Sequence, residues 1–130
     1  MANENTSKLV TLGEGSLGKI KVADEVVAVI AALAANEVEG VAAMAGNITS
    51  SIMSGVGMKS LSKGVRVYVD GLQVRVELAL IILYGYSVAA VGSRVQDRVK
   101  TAVENMTGMK VTDVNVRIAG VITKKSGETK

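Results

Sequence analysis

The stretch that decides the fold spans residues 65 to 119 and reads VRVYVDGLQVRVELALIILYGYSVAAVGSRVQDRVKTAVENMTGMKVTDVNVRIA. Two alternating runs, Val65 to Val69 and Leu72 to Ile82, predict β-strands, because successive side chains of a strand point to opposite faces. Ser87 to Met106 predicts a helix, and Asp113 to Ala119 predicts a closing strand. The stretch therefore indicates a hairpin, a helix and a strand, with almost no group that could perform chemistry.

The hairpin turn is predicted at Asp70-Gly71, because a two-residue Asp-Gly loop supplies the positive φ angles of a type I′ turn. One side of the hairpin is then expected to face the core: Val65, Val67, Val69, Val74, Val76, Leu78, Leu80 and Ile82. The opposite side of the second strand changes from polar residues to Ala79, Ile81 and Leu83. A strand end that is apolar on both faces is expected to be covered on both sides, either by another subunit or by this chain's own termini or loop.

The long helix is predicted by its caps and by its apolar spacing. Ser87 is expected to cap its beginning, and Gly108 to end it in a left-handed conformation. Apolar residues step by three and four along one side: Val88, Val91, Val95, Val99, Ala102 and Met106. Met109 and Val111 then fall on the opposite parity from Val114, so we expect a bulge near Thr112 and Asp113.

The first part of the chain supplies the remaining elements. Leu17 to Val22 alternates as a half-buried strand, Asp24 and Glu25 open a helix that ends near Asn36, and Val41 to Ala45 suits a short strand. A short extra strand at Leu9 to Leu12 is also compatible with the pattern. The order β-α-β-β-β-α-β predicts an α+β fold, a single mostly antiparallel sheet with two main helices packed on one face. The pattern leaves the strand order open.

The domain organisation follows from composition. At 130 residues and 48% hydrophobic content, the chain suits one domain with an aliphatic core. We expect that domain to span residues 16–121, between a flexible N-terminal segment, 1–15, and a flexible basic tail, 122–130.

Several classes of chemistry are excluded by residues that the chain lacks. It contains no His and no Cys. Thiolate and histidine metal sites, Ser/His triads, Cys/His dyads and disulfides are therefore excluded. Asp24 and Glu25 are adjacent on a helix, where their side chains diverge, so they suit the helix start better than acid/base catalysis. We expect no enzymatic activity, no metal and no cofactor.

Two glycine-rich stretches match phosphate-binding patterns only in part. Residues 13–18 fit GxGxxG, but the predicted strand follows the glycines instead of preceding them. Residues 55–60 lack the full glycine-to-lysine spacing of a Walker A loop. Neither stretch predicts a nucleotide site.

The charge pattern gives an alternative function. Lys59, Lys63 and Arg66 crowd one loop beside glycines, and a loop of this kind can follow phosphates, so a small RNA- or DNA-binding module is the alternative. The net charge of only +3 and the absence of Phe and Trp make nucleic acid the less favoured partner. The basic loop and the acidic residues around the first helix give the chain an uneven distribution of charge. This distribution suits self-association, although scattered charges that are simply solvated explain it as well.

No segment of this sequence is expected to insert into a membrane. The longest purely apolar run, Val26 to Ala35, has ten residues, whereas a spanning helix needs roughly 20. Residues 1–17 lack the apolar core of a signal peptide, which predicts a cytoplasmic protein. Residues 46–63 suit a short helix beginning at Asn47, either resting on the domain edge or serving as an adaptable docking surface through Met53.

Four segments together resemble one protein family. They are GKIKVADEVVAVIAALAANEVEGVAAM (18–44), KSLSKGVRVYVDG (59–71), LALIILYGYSV (78–88) and VQDRVKTAVENMTGMKVTDVNVRIAGV (95–121). Their order and spacing resemble the alkaline shock protein family of Gram-positive bacteria, also described as general or envelope stress response proteins.

The resemblance implies a non-enzymatic cytoplasmic protein linked to cell-envelope homeostasis. It also implies self-association and a membrane-anchored protein partner that would hold the chain at the inner face of the membrane. Our hypothesis for the contact surface is the doubly apolar strand end, with the basic loop as an electrostatic rim: Ala79, Ile81, Leu83, Lys59, Lys63 and Arg66.

Overall fold

A computed structural model describes residues 9–45 and 64–123 of the chain. The elements are β1 (Leu9–Gly15), β2 (Gly18–Ala23), α1 (Asp24–Asn36), β3 (Val41–Met44), β4 (Val65–Asp70), β5 (Gln73–Leu83), α2 (Val88–Thr107) and β6 (Lys110–Ile122). The α+β class and the predicted order of elements are confirmed, with β1 added at the front. The helix expected after Asn47 lies outside the described residues.

The central sheet is built around β5. On one side, β4 and β3 follow each other along β5, and both run antiparallel to it. On the other side, β6 runs parallel to β5 along its whole length. Since α2 connects β5 to β6, these three elements form a βαβ unit. The pairing is thus mostly antiparallel, with one parallel pair that the sequence pattern did not specify.

The expectation of a single sheet needs one correction, because β1 and β2 pair only with each other in a separate antiparallel hairpin. The hairpin extends into the N-terminal segment that we expect to be flexible, at the place where the pattern also allows a short extra strand, Leu9 to Leu12. Val10 lies opposite Val22 and is buried, while Leu12 and Val22 pack against the core cluster. The alternation in β1 is short and contains a bulge at Leu12, which explains why the sequence signal is weak.

The β4–β5 turn lies one residue later than predicted. Asp70 pairs with Gln73, so the loop residues are Gly71 and Leu72. Gly71 has a φ of 64°, while Leu72 has no positive φ. A positive φ at the first loop position alone suits a type II′ turn and excludes type I′. Each residue of β4 therefore pairs with a residue of β5 two positions later than predicted. A shift of two keeps each side chain on its face, so the predicted side chains still face the core.

Both helices pack on the same face of the central sheet, and α1 is buried on most of its circumference: Val27, Ala28, Val29, Ile30, Ala31, Ala32, Ala34 and Ala35. The buried stripe of α2 is narrower: Val91, Val95, Val99, Val103 and Thr107. Val88 and Met106, which the spacing predicts on the packed side of α2, are exposed instead. Residues spaced four apart do not stay exactly on one side of a helix, because their positions turn slowly around its axis. Along α2 the buried stripe therefore continues to Val103 and Thr107, and Met106 lies on the exposed side.

The predicted ends of α2 are confirmed. The Ser87 hydroxyl accepts a hydrogen bond from the Ala90 N–H at 3.1 Å, and Gly108 has a φ of 77°. The bulge is also confirmed, because Val74 pairs with Val111 while Arg75 pairs with Asp113, which leaves Thr112 as the extra residue. Helix α1 differs, since its N-cap Ala23 offers no side-chain bond and the acidic residues occupy the first turn.

Candidate interaction surface

The side of the central sheet turned away from α1 and α2 is called here the open face, because both described helices pack on the other side. Its side chains follow from the strand registers: Arg66, Tyr68, Asp70, Gln73, Arg75, Glu77, Ala79, Ile81, Leu83, Asp113, Asn115, Arg117, Gly120 and Ile122. They divide into a polar end near the β4–β5 turn and an apolar end near Tyr84.

The polar end is ordered by contacts across the strands. The Tyr68 hydroxyl donates to Glu77 at 3.5 Å, and the Arg75 guanidinium lies 4.6 Å from the centre of the Tyr68 ring. Arg75 also lies opposite Asp113 of β6. These contacts hold long side chains flat on the sheet, although exposed contacts of this kind contribute little to stability.

A cavity of about 600 Å³ lies over β4, β5 and β6 at the middle of the open face. Arg66 of β4 and Arg117 of β6 line it from opposite sides, and Glu77, Ala79 and Asn115 also contribute to its lining. Ala79 has a small side chain between two long arginines. The cavity therefore carries cationic groups on either side and a carboxylate between them.

The apolar end contains the rest of the predicted surface. Ile81 lies opposite Gly120, where an added Cβ would come within 3.2 Å of the Ile81 Cδ1 atom. Leu83 lies opposite Ile122 in the next row. Ile81, Leu83 and Ile122 are half-buried, so each keeps part of its apolar surface exposed. Together they form a small apolar patch beside the charged end.

The predicted surface residues are only partly brought together. Arg66 is exposed, and it shares the cavity with Ala79, which is itself only 5% exposed. Lys59 and Lys63 lie outside the described residues. Ala45 and Gly64, the described residues on either side of 46–63, both bond to Ala79. The Ala45 N–H donates to the Ala79 carbonyl, and the Ala79 N–H donates to the Gly64 carbonyl.

The acidic residues near α1 have partners within the fold. The Arg98 guanidinium bonds to Glu37 at 3.1 Å and ties the end of α1 to α2. The Tyr86 hydroxyl donates to Glu39 at 3.1 Å. Two of the acidic residues around the first helix therefore bind side chains of this chain itself, which makes them less available to a partner.

Glu104 has a lowered pKa, and its cause is structural. The Val111 N–H donates to the carboxylate at 3.0 Å, and the Lys100 ammonium lies 3.0 Å away, as the helix spacing predicts. The backbone bond first, and Lys100 second, lower the pKa of Glu104 from its ordinary value. This carboxylate joins α2 to β6, a role that explains its pKa without catalysis.

Two further kinds of feature are absent from the described ranges, 9–45 and 64–123. No group of three acidic, histidine or cysteine side chains comes together there in a way that could hold a metal ion. No helix in the same ranges is long and apolar enough to cross a membrane.

The family is decided by the sequence match over almost the whole described domain. Residues 13–123 match the alkaline shock protein 23 (Asp-23) family, which is described as having a cell envelope-related function. This chain belongs to that family. The resemblance drawn from the four sequence segments is confirmed, and the matched range covers every element except the first four residues of β1.

The chain is also similar to individual proteins of Gram-positive bacteria. YqhY of Bacillus subtilis (strain 168) is 33% identical over 105 residues, which cover 81% of this chain and 78% of YqhY. The stress response regulator gls24 homolog of Streptococcus pyogenes serotype M3 is 29% identical over 126 residues, covering 96% of this chain and 69% of the relative. The chain is thus a member of an envelope-related stress response family. A solved structure of MamM CTD matches with a TM-score of 0.47 and 15% identity, covering 75% of this chain and 94% of its own.

Sequence reasoning missed the contribution of β6 to the open face. Asn115, Arg117, Gly120 and Ile122 reach this face because β6 lies beside β5, and nothing local in the sequence specifies that neighbour. Part of the signal was present, since Asp113, Asn115 and Arg117 alternate with apolar residues and must share a side of their strand.

Proposed function

We propose that this protein is a non-enzymatic structural protein of cell-envelope homeostasis and stress response. It acts in the cytoplasm by associating with copies of itself and by binding a membrane-anchored protein partner, which holds it at the inner face of the membrane. Membership of an envelope-related family supports the biological setting. The open face, with its exposed apolar end, is the observation that carries the mode of action.

The apolar end is the surface proposed for the partner. Ile81, Leu83 and Ile122 leave apolar area exposed on a sheet face that neither described helix covers. Removing such area from water is favourable, by roughly 25 cal/mol for each Å² buried. Arg117 lies opposite Ala79, one row from Ile81, and an apolar centre with a charged rim is the usual arrangement of a protein contact.

The charge balance of the open face favours a protein partner over nucleic acid. Arg66, Arg75 and Arg117 are matched on the same face by Asp70, Glu77 and Asp113. A surface that binds a phosphate backbone needs an excess of cationic groups, because affinity grows with the number of phosphates neutralised. Mixed charge suits a protein surface of complementary pattern.

Cell fractionation tests the proposal. In a Gram-positive host, we expect the wild-type protein to sediment with membranes and to be released by alkaline carbonate, as a peripheral protein is. The Ile81→Glu variant places a charge in the apolar end and should shift to the soluble fraction. Met106→Glu, at a position that is 69% exposed on α2 and away from the open face, is the matched control and should stay with the membranes.

Two results would contradict the proposal. One is a wild-type protein that is wholly soluble in stressed and unstressed cells. The other is an Ile81→Glu variant that remains with the membranes as the wild type does. Circular dichroism melts of both variants are needed, since Ile81 is half-buried and a folding defect would also change the fractionation.

Nucleic-acid binding is the second candidate, and the cavity between Arg66 and Arg117 is the observation that favours it. Lys59 and Lys63 precede Arg66 in the sequence and would add positive charge for this function. A shift of labelled RNA or DNA that weakens with added salt would support this function. No shift at micromolar protein and physiological ionic strength would exclude it.

A further inference from the structure

Strand β6 forms an edge of the central sheet. It spans Lys110–Ile122 and pairs with β5 on one side. Among residues 9–45 and 64–123, no strand pairs with its other side. An edge of this length presents a row of backbone N–H and C=O groups, which is a template for a further strand.

Side chains of α2 occupy the first half of this edge. The Gln96 amide donates to the Val114 carbonyl at 3.0 Å, and the Glu104 carboxylate accepts from the Val111 N–H. Backbone groups alternate in direction along a strand, so Val116 and Ile118 point their N–H and C=O groups the same way as Val114. Within the described part of the chain, no side chain bonds to this edge at Val116 or Ile118.

The helix surface above the free half is bare. Gly92 lies one turn before Gln96 on the same side of α2, and nothing described lies within 4 Å of where its Cβ would be. Val88, one turn earlier, is 47% exposed, and Val121 of β6 is 53% exposed. A glycine inside a helix lowers its stability, and no contact within the described chain requires one here. Apolar side chains and a bare helix surface thus lie beside unpaired backbone.

The charges along this edge are complementary to those of a second, antiparallel copy of the same strand. Residues 113–117 read Asp-Val-Asn-Val-Arg, with opposite charges at equal distances from the central Asn115. In an antiparallel pair of two such strands centred on Asn115, Asp113 of one copy lies opposite Arg117 of the other, twice. Val114 of each copy then lies opposite Val116 of the other, where their outward backbone groups exchange hydrogen bonds. A parallel arrangement would place like charges together.

We propose that two copies of this chain pair antiparallel through β6 about Asn115, so that their central sheets become one continuous sheet. This rests on the self-association of the proposed function and gives its geometry. The Val114 carbonyl has two lone pairs, so it can accept from Gln96 and from the second copy at once. The two open faces then join into one surface of double width, which presents the apolar end twice to a membrane-anchored partner.

The experiment is a charge exchange read by sedimentation equilibrium of the full chain. Wild type is expected as a dimer. Asp113→Arg and Arg117→Asp each replace two attractive cross-strand pairs by two repulsive ones, and each should raise the dissociation constant by about tenfold or more. The double variant restores both pairs and should dimerise as wild type does. An equal mixture of the two single variants should form a mixed dimer, because one copy then carries two arginines and the other two aspartates.

Two controls distinguish this pairing from a folding defect and from association through the open face. Asp113 and Arg117 are exposed, and thermal melts should show that the variants fold. Arg66→Asp changes an exposed charge of the same open face, but on β4, which lies on the other side of β5 from β6, and it should leave the dimer unchanged. Single variants that dimerise as wild type does would overturn the β6 pairing while leaving self-association intact. Single variants that dissociate but do not associate when mixed would also overturn it, and a wild-type monomer at high concentration would overturn both proposals.

Discussion

The carboxylate of Glu104 on α2 accepts a hydrogen bond from the backbone N–H of Val111 at 3.0 Å, so a helix side chain fixes the start of β6. Val111 directly precedes the bulge at Thr112. The chain connects β5 to β6 through a long crossover, and this bond, with the bond from the Lys110 N–H to the Leu72 carbonyl, holds β6 where the parallel pairing begins. The rows of the open face depend on that register.

The Glu104 contact predicts a dependence of stability on acid. The pKa of Glu104 is lower in the folded chain than in the unfolded one, so the charged group stabilises the fold above about pH 4.3, the ordinary value of a glutamate. That stabilisation is lost progressively as the pH falls from about 4.3 through the lower pKa of the folded state. Glu104→Gln should melt at a lower temperature at neutral pH, and the difference from wild type should shrink in acid.

A carboxyl NMR titration checks the cause of the shift. Lys100→Met keeps the Val111 hydrogen bond, which is the larger influence, so Glu104 should still titrate below its ordinary value in that variant. Titration of Glu104 at or above about 4.3 in the wild type would contradict the interpretation.

Gly40 provides a test of the packing between β3 and α2. Its φ is 100°, and an added Cβ would come within 2.8 Å of the Val91 Cγ2 atom and 2.9 Å of the Tyr86 Cδ2 atom. Gly40→Ala therefore combines a left-handed backbone with overpacking and should reduce the free energy of unfolding by about 2–5 kcal/mol. Gly13→Ala, with nothing within 4 Å, is the control and should change it by less than about 1 kcal/mol. Equal chemical denaturation curves for the two variants would contradict this packing.

Gly92, on the side of α2 above the free half of the β6 edge, is a position where a substitution should stabilise the fold. Gly92 lies inside the helix with open space at its Cβ position. Gly92→Ala should therefore raise the free energy of unfolding by about 0.5–1 kcal/mol, measured in dilute solution where the chain is monomeric. A loss of stability would mean that another part of the chain packs against this position.

How far the sequence determined the fold can be traced to individual residues. Ser87, Gly108 and the parity change at Thr112 were predictable, because caps and bulges depend on a few neighbouring residues. The parallel placement of β6 was not, since it depends on contacts between residues far apart in the chain. The turn moved from Asp70-Gly71 to Gly71-Leu72 without changing which residues face the core, because alternation is insensitive to a shift of two.

The candidate surface was predictable only in its apolar part. The change from Glu77 to Ala79, Ile81 and Leu83 is visible in the sequence, and Ile81 and Leu83 do share the open face. Ala79 is buried, and the sequence leaves open whether another subunit or this chain itself covers the strand end, because that depends on what surrounds β5 in three dimensions. Arg117 was missed for the same reason as the strand order, although it faces Arg66 across the cavity.

The central claim is that the open face contacts a membrane-anchored partner, and site-specific photo-crosslinking tests it most directly. A photoreactive residue is placed at Leu83 on the open face, or at Met106 on α2, in cells of a Gram-positive host. We predict that the Leu83 probe gives one discrete product joined to a membrane-spanning protein, and that the Met106 probe gives none. Products from Met106 alone, or Leu83 products that contain only soluble proteins or RNA, would contradict the account.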